Sequence, residues 1–120
     1  MNVNVLLGKT LTHIEKSDDQ IMFVVSDEEK YRMYHSQDCC EYVEIEDIEG
    51  DLNDLIGKPI IQAEEVTYEN ENPSDVPVKE HQDSFIWTFY KFATIKGYVT
   101  IRWYGESNGY YSESVDFELC

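Results

Sequence analysis

The strongest structural signal of the chain lies in residues 85–104, which read FIWTFYKFATIKGYVTIRWY. Two runs rich in aromatic and β-branched residues flank Lys96-Gly97, and this pattern predicts a β-hairpin with a two-residue turn. The predicted cross-strand pairs are Thr94 with Val99, Phe92 with Ile101, and Tyr90 with Trp103. Because strand side chains alternate between faces, these apolar residues share one face of an antiparallel sheet.

The other face of this hairpin is aromatic and charged. Its candidate anchors for a partner are Trp87, Phe89, Tyr98 and Tyr104. Either the N-terminal half of the protein partly covers this face, or the face is an amphipathic docking surface of the kind that Tyr and Trp favour.

The predicted register also sets Lys91 opposite Arg102, which destabilises a sheet unless a carboxylate lies between the two charges. Asp116 on the following strand is predicted beside Arg102. This group forms either a structural ladder of charges or a small anion pocket.

The next turn contains Asn108-Gly109, but a two-residue turn there would place polar residues opposite Trp103 and Ile101. We therefore predict a bulged register, shifted by one residue, because such a shift moves every side chain to the other face. The resulting pairs are Trp103 with Val115, Ile101 with Phe117, and Val99 with Leu119.

Apolar alternation in the first half predicts short strands that continue a meander. The strand residues are Ile21, Phe23 and Val25, then Tyr31, Met33 and His35, then Val43 and Ile45. Asp51 as a cap and Gly57 as a C-terminal glycine predict one short helix near 51–57. The composition of residues 69–83 predicts a mobile surface loop. The fold class is therefore mainly β (α+β), an antiparallel meander sheet with one short helix, and residues 1–120 form a single acidic domain.

Two short segments echo each other in sequence: Leu6–Leu11 is LLGKTL and Leu55–Ile60 is LIGKPI. They are either a duplicated unit that leads into a strand or two independent uses of the same turn chemistry.

The composition excludes several classes of protein. The 120 residues have a formal net charge of -16, yet 42% are hydrophobic, which is too many for a disordered acidic tail. No apolar run approaches the roughly 20 residues of a membrane span. Twenty-five acidic residues against nine Lys and Arg repel phosphate backbones and anionic membranes. The expected partner is therefore a basic protein, with no direct binding of nucleic acid or membrane, unless the acidity only maintains solubility.

The three cysteines cannot all pair within the chain, and adjacent Cys39 and Cys40 point to opposite faces if they lie in a strand. We expect reduced, buried and inert thiols in a bacterial cytoplasm. His35 and Asp38 lie near these cysteines, but adjacent sulfur ligands lack the usual zinc spacing. A cysteine nucleophile is disfavoured because an acidic neighbourhood raises the pKa of a thiol.

Other chemical motifs are absent. A calcium loop from Asp47 fails because Leu52 stands at the turn-glycine position and Lys58 at the position of the bidentate glutamate. No phosphate-binding glycine loop, hydrolase elbow or metalloprotease motif occurs. We therefore predict no catalytic residue, no metal and no cofactor.

The acidic segment from Asp38 to Asp54 contains no basic residue. Same-face residues of a strand recur every ~6.6 Å. This is about twice the axial rise per phosphate of one DNA strand. A row of carboxylates is thus able to occupy a groove built for nucleic acid. The predicted partner-binding acidic face comprises Glu41, Glu44, Glu46, Asp47, Glu49, Asp51 and Asp54.

Several longer stretches of the sequence are distinctive: HSQDCCE at 35–41, GDLNDLIG at 50–57, WTFYK at 87–91, GYVTIRWYG at 97–105 and SNGYYSE at 107–113. Together they resemble a family of small acidic phage and prophage proteins of unknown function. The resemblance spans nearly the whole chain. It implies a viral or prophage setting but supplies no activity or catalytic residue.

These observations favour a non-enzymatic inhibitor of a nucleic-acid-binding defence effector of the host, similar in action to an anti-CRISPR protein. The alternative is a phage accessory or assembly protein that self-associates through the aromatic sheet face. A third hypothesis is a small metal-dependent enzyme. We expect a monomer or a small homo-oligomer.

The redox interpretation makes one direct prediction. Protein made in a reducing cytosol should carry three free thiols and no stoichiometric zinc, as judged by mass spectrometry under native and denaturing conditions. A bound ion whose removal by a chelator also unfolds the protein would contradict it.

Overall fold

A computed structural model describes residues 1–72, 84–108 and 111–120 of the chain. Within these described residues, eight antiparallel strands form two four-stranded sheets, which confirms a mainly β fold. In chain order, the strands are β1 (His13–Lys16), β2 (Gln20–Val24), β3 (Lys30–Tyr34), β4 (Tyr42–Glu49), β5 (Gln62–Glu69), β6 (Ser84–Thr94), β7 (Gly97–Ser107) and β8 (Asp116–Leu119). Within the described ranges, no helix has the length and apolar character needed to cross a membrane.

The two sheets exchange their fourth strands. The first sheet has the order β1-β2-β3-β8, and the second has the order β4-β7-β6-β5. Strands β1 to β3 form one meander and β5 to β7 form another. The strand that follows each meander, β4 or β8, pairs with the last strand of the other meander. Each half of the chain therefore completes the sheet of the other half.

The two echoing sequence segments are structural counterparts. Each begins at the last residue of a single 3₁₀ turn, Val3–Leu6 or Leu52–Leu55, and contains a glycine with positive φ two residues later. The segments also bond to each other: Gly8 N–H donates to the Ile60 carbonyl at 2.8 Å, and Gly57 N–H donates to the Leu11 carbonyl at 2.9 Å. These bonds join the entrances of the two meanders.

One apolar core lies between the sheets. The ring of Phe23 on β2 lies 5.5 Å from that of Phe92 on β6. The indole N–H of Trp103 donates to the sulfur of Met33 at 3.3 Å, so this buried donor is satisfied across the interface. The apolar face predicted for the hairpin of β6 and β7 is confirmed, since its members are buried in this core: Tyr90, Phe92, Val99, Ile101 and Trp103.

The register predicted for that hairpin is wrong by two residues. Thr94 pairs with Gly97, and Phe92 pairs with Val99, so the turn residues are Ile95 and Lys96. The second 3₁₀ turn fixes this position, because the Thr94 hydroxyl donates to the Asp54 carbonyl and the Lys96 ammonium donates to the Ile56 carbonyl at 3.0 Å. A shift of two residues keeps every side chain on its predicted face.

The pairing predicted between β7 and β8 is also wrong. Strand β4 occupies that side of β7, with Ile45 opposite Trp103, while Phe117 of β8 pairs with Met33 of β3. Residues 109–110 of the predicted Asn-Gly turn lie outside the described residues.

The charge ladder around Arg102 is built from other residues than those predicted. Lys91 pairs with Thr100 and Glu64, and Arg102 pairs with Phe89 and Asp47. Asp116 lies in the other sheet, opposite Tyr34.

The short helix predicted near 51–57 is a single 3₁₀ turn. The Asp51 carboxylate accepts a hydrogen bond from the Asn53 N–H at 2.9 Å, so the predicted cap is confirmed. Most of the loop predicted at 69–83 lies outside the described residues, although Glu69 ends β5 and Asn70 bonds to Phe85.

The two glycines of the echoing segments provide a test of this arrangement. Gly8→Ala or Gly57→Ala should each lower the free energy of unfolding by about 1–2 kcal/mol, because a β-carbon disfavours the left-handed backbone region. An added Cβ meets no atom within 4 Å at either glycine, so the cost is conformational rather than steric. Urea denaturation measures it.

Gly8→Asn and Gly57→Asn are the matched controls and should lose less stability, since Asn tolerates positive φ. Alanine variants as stable as the native protein would contradict the positive φ angles.

Candidate functional site

The exchange of strands brings two connecting segments together at one end of the sandwich. We call residues 35–41, between β3 and β4, the first link, and the described residues between β7 and β8, which are 108 and 111–115, the second link. His35 Nδ1 lies 2.7 Å from the Ser114 carbonyl oxygen, and Ser36 N–H donates to the Asp116 carboxylate at 3.0 Å. The first link is thus tied to the second link and to β8, which follows it.

Glu41 is the centre of the first link. Its side chain is 0% exposed, and its carboxylate accepts the backbone N–H groups of Asp38 and Cys39, both at 2.9 Å. The Gln37 amide donates to the same carboxylate at 3.0 Å. One buried carboxylate therefore satisfies the polar groups of a loop that has no strand partner there.

His35 completes this network. Its Nε2 lies 2.9 Å from a Glu41 carboxylate oxygen, and its side chain is 5% exposed. Both ring nitrogens thus lie within hydrogen-bond distance of an oxygen atom, Nδ1 of the Ser114 carbonyl and Nε2 of the Glu41 carboxylate.

The environment of Glu41 lowers its pKa. Burial by itself raises the pKa of this carboxyl. The hydrogen bonds from the N–H groups of Cys39 and Asp38 and from His35 together outweigh burial and lower the pKa to about 2. Glu41 is therefore ionised at neutral pH, and its role is to hold the conformation of the loop.

The second link also contains a buried carboxylate. Glu113 accepts hydrogen bonds from the Ser84 and Ser107 hydroxyls, the latter at 3.0 Å. The backbone of Glu113 also passes close to Gly105. A side chain at position 105 would not fit there, because its Cβ would lie 2.6 Å from the Glu113 carbonyl oxygen. Each link is thus anchored by one buried glutamate.

Cys39 and Cys40 lie on the outside of the first link. Their sulfur atoms are 2.7 Å apart, and both residues are exposed, as is Cys120. The expectation of buried cysteines with diverging side chains is wrong, because residues 39–40 form a bend before β4 and the alternation of a strand does not apply. A surface pocket of about 300 Å³ adjoins them, and its lining includes Cys40, Tyr42 and Tyr111.

The predicted acidic face divides between buried and exposed positions. Glu41 is buried, so it is not available to a partner. The exposed members are Glu46, Asp47 and Glu49 on β4 and Asp51 before the 3₁₀ turn, while Glu44 and Asp54 are half-buried.

A bulge in β4 shapes this face. The register with β7 shifts between Ile45 and Asp47, which leaves Glu46 beside Asp47 and both near Arg102. The Arg102 guanidinium bonds to the Glu46 carboxylate and lies 4.0 Å from that of Asp47. Carboxylates still outnumber basic groups along this strand.

The other edge of the same sheet is acidic too. Strand β5 exposes Glu64, Glu65 and Glu69. These residues are not part of the predicted acidic face, and composition alone does not distinguish them from the acidic residues of β4.

The four candidate docking aromatics do not form one exposed surface. Trp87 and Tyr104 are 3% and 1% exposed and pack in a second apolar cluster with Phe85. The Trp87 indole N–H donates to the Asn72 side chain at 2.9 Å. Phe89 is half-buried, and Tyr98 is 76% exposed. Two of the four candidate anchors are therefore buried within the chain, and their contacts include Phe85 and Asn72.

In the part of the chain that the structure describes, no group of three or more His, Cys, Asp or Glu side chains is arranged to hold a metal ion. His35, Asp38 and Cys39 are close in space, but the His35 ring is directed to Glu41 and Ser114.

The fold and the site define this chain as a small, acidic β protein of two sheets, in which each link between the sheets is held by a buried carboxylate. The chain belongs to a family described as a domain of unknown function (DUF7448), whose model matches residues 4–117. Comparison with curated proteins and with solved structures finds no match.

The buried carboxylate of Glu41 leads to a prediction about pH. Since its pKa is lowered to about 2 in the fold, Glu41 stabilises the native state above the ordinary glutamate pKa and loses this effect as pH falls toward 2. Glu41→Gln should lower the melting temperature at pH 7 and reduce the difference between the stabilities at pH 5 and pH 2.

Glu49→Gln is the matched control, because it removes the same charge from an exposed position of β4. Thermal denaturation of the three proteins between pH 2 and 7 gives the comparison. Equal melting temperatures of the Glu41 and Glu49 variants at pH 7 would contradict the structural role of Glu41.

Proposed function

We propose that this protein binds a basic, nucleic-acid-binding protein of a bacterial host and inhibits it stoichiometrically, in the manner of an anti-CRISPR protein. The proposal places the contact on β4, which is an edge strand of the second sheet. It also adopts the phage or prophage setting that the sequence motifs suggest.

The observation that carries the proposal is the charge of β4. Glu44, Glu46, Asp47 and Glu49 lie along this strand, and Arg102 is the basic side chain that contacts them in the described structure. A row of carboxylates that keeps a net negative charge attracts a basic groove over a distance of about one Debye length and speeds association. A basic groove that binds phosphates offers the complementary charge.

The burial of Trp87 and Tyr104 favours this proposal over self-assembly. Large aromatic side chains contribute most of the energy of an interface when they are exposed before binding. Two of the four proposed anchors are already buried within the chain, so the aromatic face is a weak basis for an assembly interface.

Two matched triple variants test the role of β4. Glu44→Lys, Asp47→Lys and Glu49→Lys together change the charge of β4, and Glu64→Lys, Glu65→Lys and Glu69→Lys change that of β5 by the same amount. Only the β4 variant should lose a basic effector captured from a bacterial host lysate. The loss of affinity should be at least about tenfold, or ~1.4 kcal/mol.

The captured effector should be a nucleic-acid-binding protein that added DNA or RNA releases, and its retention should fall as salt rises. Circular dichroism checks that both variants fold. Direct binding of DNA by the purified native protein, or equal loss by both triple variants, would contradict nucleic-acid mimicry by β4. If both variants lose the effector equally, the result would instead favour the hypothesis that the acidic residues only maintain solubility.

A further inference from the structure

The paired thiols of the first link have a geometry that the proposed function does not use. The sulfur atoms of Cys39 and Cys40 are 2.7 Å apart and both residues are exposed. A disulfide has an S–S distance of about 2.05 Å, so less than ~1 Å of movement separates the two thiols from a bond.

The backbone around these thiols is held from both sides. Cys39 N–H donates to the buried Glu41 carboxylate at 2.9 Å, and the Cys39 carbonyl accepts from the Gln37 amide at 3.3 Å. Glu41 is in turn fixed by His35. This frame presents adjacent side chains on the same side of the chain, which a regular strand does not allow.

We propose that Cys39 and Cys40 form a vicinal dithiol site that low-molecular-weight disulfides oxidise reversibly to a disulfide between the two neighbouring residues. The proposal rests on the first link alone. It is independent of the acidic face on β4.

The reaction is thiol–disulfide exchange in two steps. The thiolate of one cysteine attacks one sulfur of the small disulfide, the S–S bond of that molecule breaks, and the first small thiolate leaves and takes up a proton. The neighbouring cysteine then loses its proton to solvent and attacks the Sγ of the first, which expels the second small thiol. Two protein thiols are oxidised, and one small disulfide is reduced to two thiols.

A hydrogen bond joins the two thiols, and either sulfur is able to donate it. This contact with Cys39 raises the pKa of Cys40. Whichever thiol reacts first, its neighbour lies close enough to complete the exchange.

The product should be easy to reduce. Neighbouring Cα atoms are about 3.8 Å apart across a trans peptide bond. Disulfides usually join Cα atoms at least ~4.4 Å apart, and shorter spans are strained. Strained, exposed disulfides have less negative reduction potentials, so they fit reversible modification and not permanent cross-linking. A reducing cytoplasm would keep the thiols free until oxidant accumulates.

The test is incubation of the purified, reduced protein with excess oxidised glutathione, followed by intact mass measurement and peptide mapping. The peptide that contains Cys39 and Cys40 should lose two hydrogen atoms and retain no glutathione. Exposed Cys120 lies alone in sequence and serves as an internal control that retains one glutathione. Added reduced glutathione should restore both thiols of the pair.

The variants Cys40→Ser and Cys39→Ser remove one partner each. The native protein should retain no detectable glutathione on Cys39. The Cys40→Ser variant should retain a stoichiometric amount there, because no neighbouring thiol is left to expel it. Both substitutions are at exposed positions, and circular dichroism confirms folding before oxidation.

Three results would overturn the proposal. They are separate glutathione adducts on both cysteines of the native protein, unmodified Cys39 and Cys40 while Cys120 is modified, and disulfide bonds between chains through this pair. None of these outcomes bears on whether β4 binds a basic partner, so the two proposals fail independently.

Discussion

The meeting of the two links is the constraint on which the rest of this structure depends. Because β4 and β8 each complete the sheet of the other half, the described residues of the two links lie side by side at one end of the core. Such segments carry backbone N–H and carbonyl groups that no strand can satisfy, and leaving them unpaired in a buried place is costly. Glu41 satisfies two such N–H groups of the first link, and Glu113 holds the second link by accepting hydrogen bonds from the Ser84 and Ser107 hydroxyls.

The same exchange joins the halves energetically. Strand β4 is held by β7, and β8 is held by β3, so neither sheet is complete without residues distant in sequence. Contacts of this kind require loop closure before they contribute energy, which makes folding slow and cooperative. The bonds between Gly8 and Ile60 and between Gly57 and Leu11 tie the halves together at a second place. Loss of packing in one half should therefore lower the stability of the other half as well.

Sequence patterns predicted which side chains are buried better than they predicted which strands pair. The alternation around Phe92 and Ile101 defines a face, and that face is unchanged by a shift of two residues. The turn at Ile95 and Lys96 depends on contacts with the second 3₁₀ turn, which no local pattern contains. The partner of β8 was missed for a related reason, because alternation in Val115 and Phe117 fits an apolar position beside β3 as well as one beside β7.

The candidate site shows the same division between local and long-range information. The capping role of Asp51 depends on residues next to it and was predictable. The role of Glu41 depends on a loop that folds back over its carboxylate, so its charge alone suggested a surface residue. The thiol pair was misjudged because strand geometry was assumed for Cys39 and Cys40, whereas the link places them in a bend.

The exposed acids of the second sheet protect both of its edges, and the bulge in β4 adds to this protection. Exposed charges on edge strands prevent pairing with other chains, and both β4 and β5 carry them. On β4 the bulge at Glu46 also breaks the regular ladder that an added strand would need. A partner of this edge would therefore meet carboxylate side chains and not free backbone groups. Beside those carboxylates, Arg102 lies 5.4 Å over the ring of buried Trp87, so its position is set by packing as well as by charge. Arg102 therefore connects the acidic edge to the buried cluster beneath it, and a preorganised charge of this kind would help the proposed surface to discriminate one partner from other basic proteins.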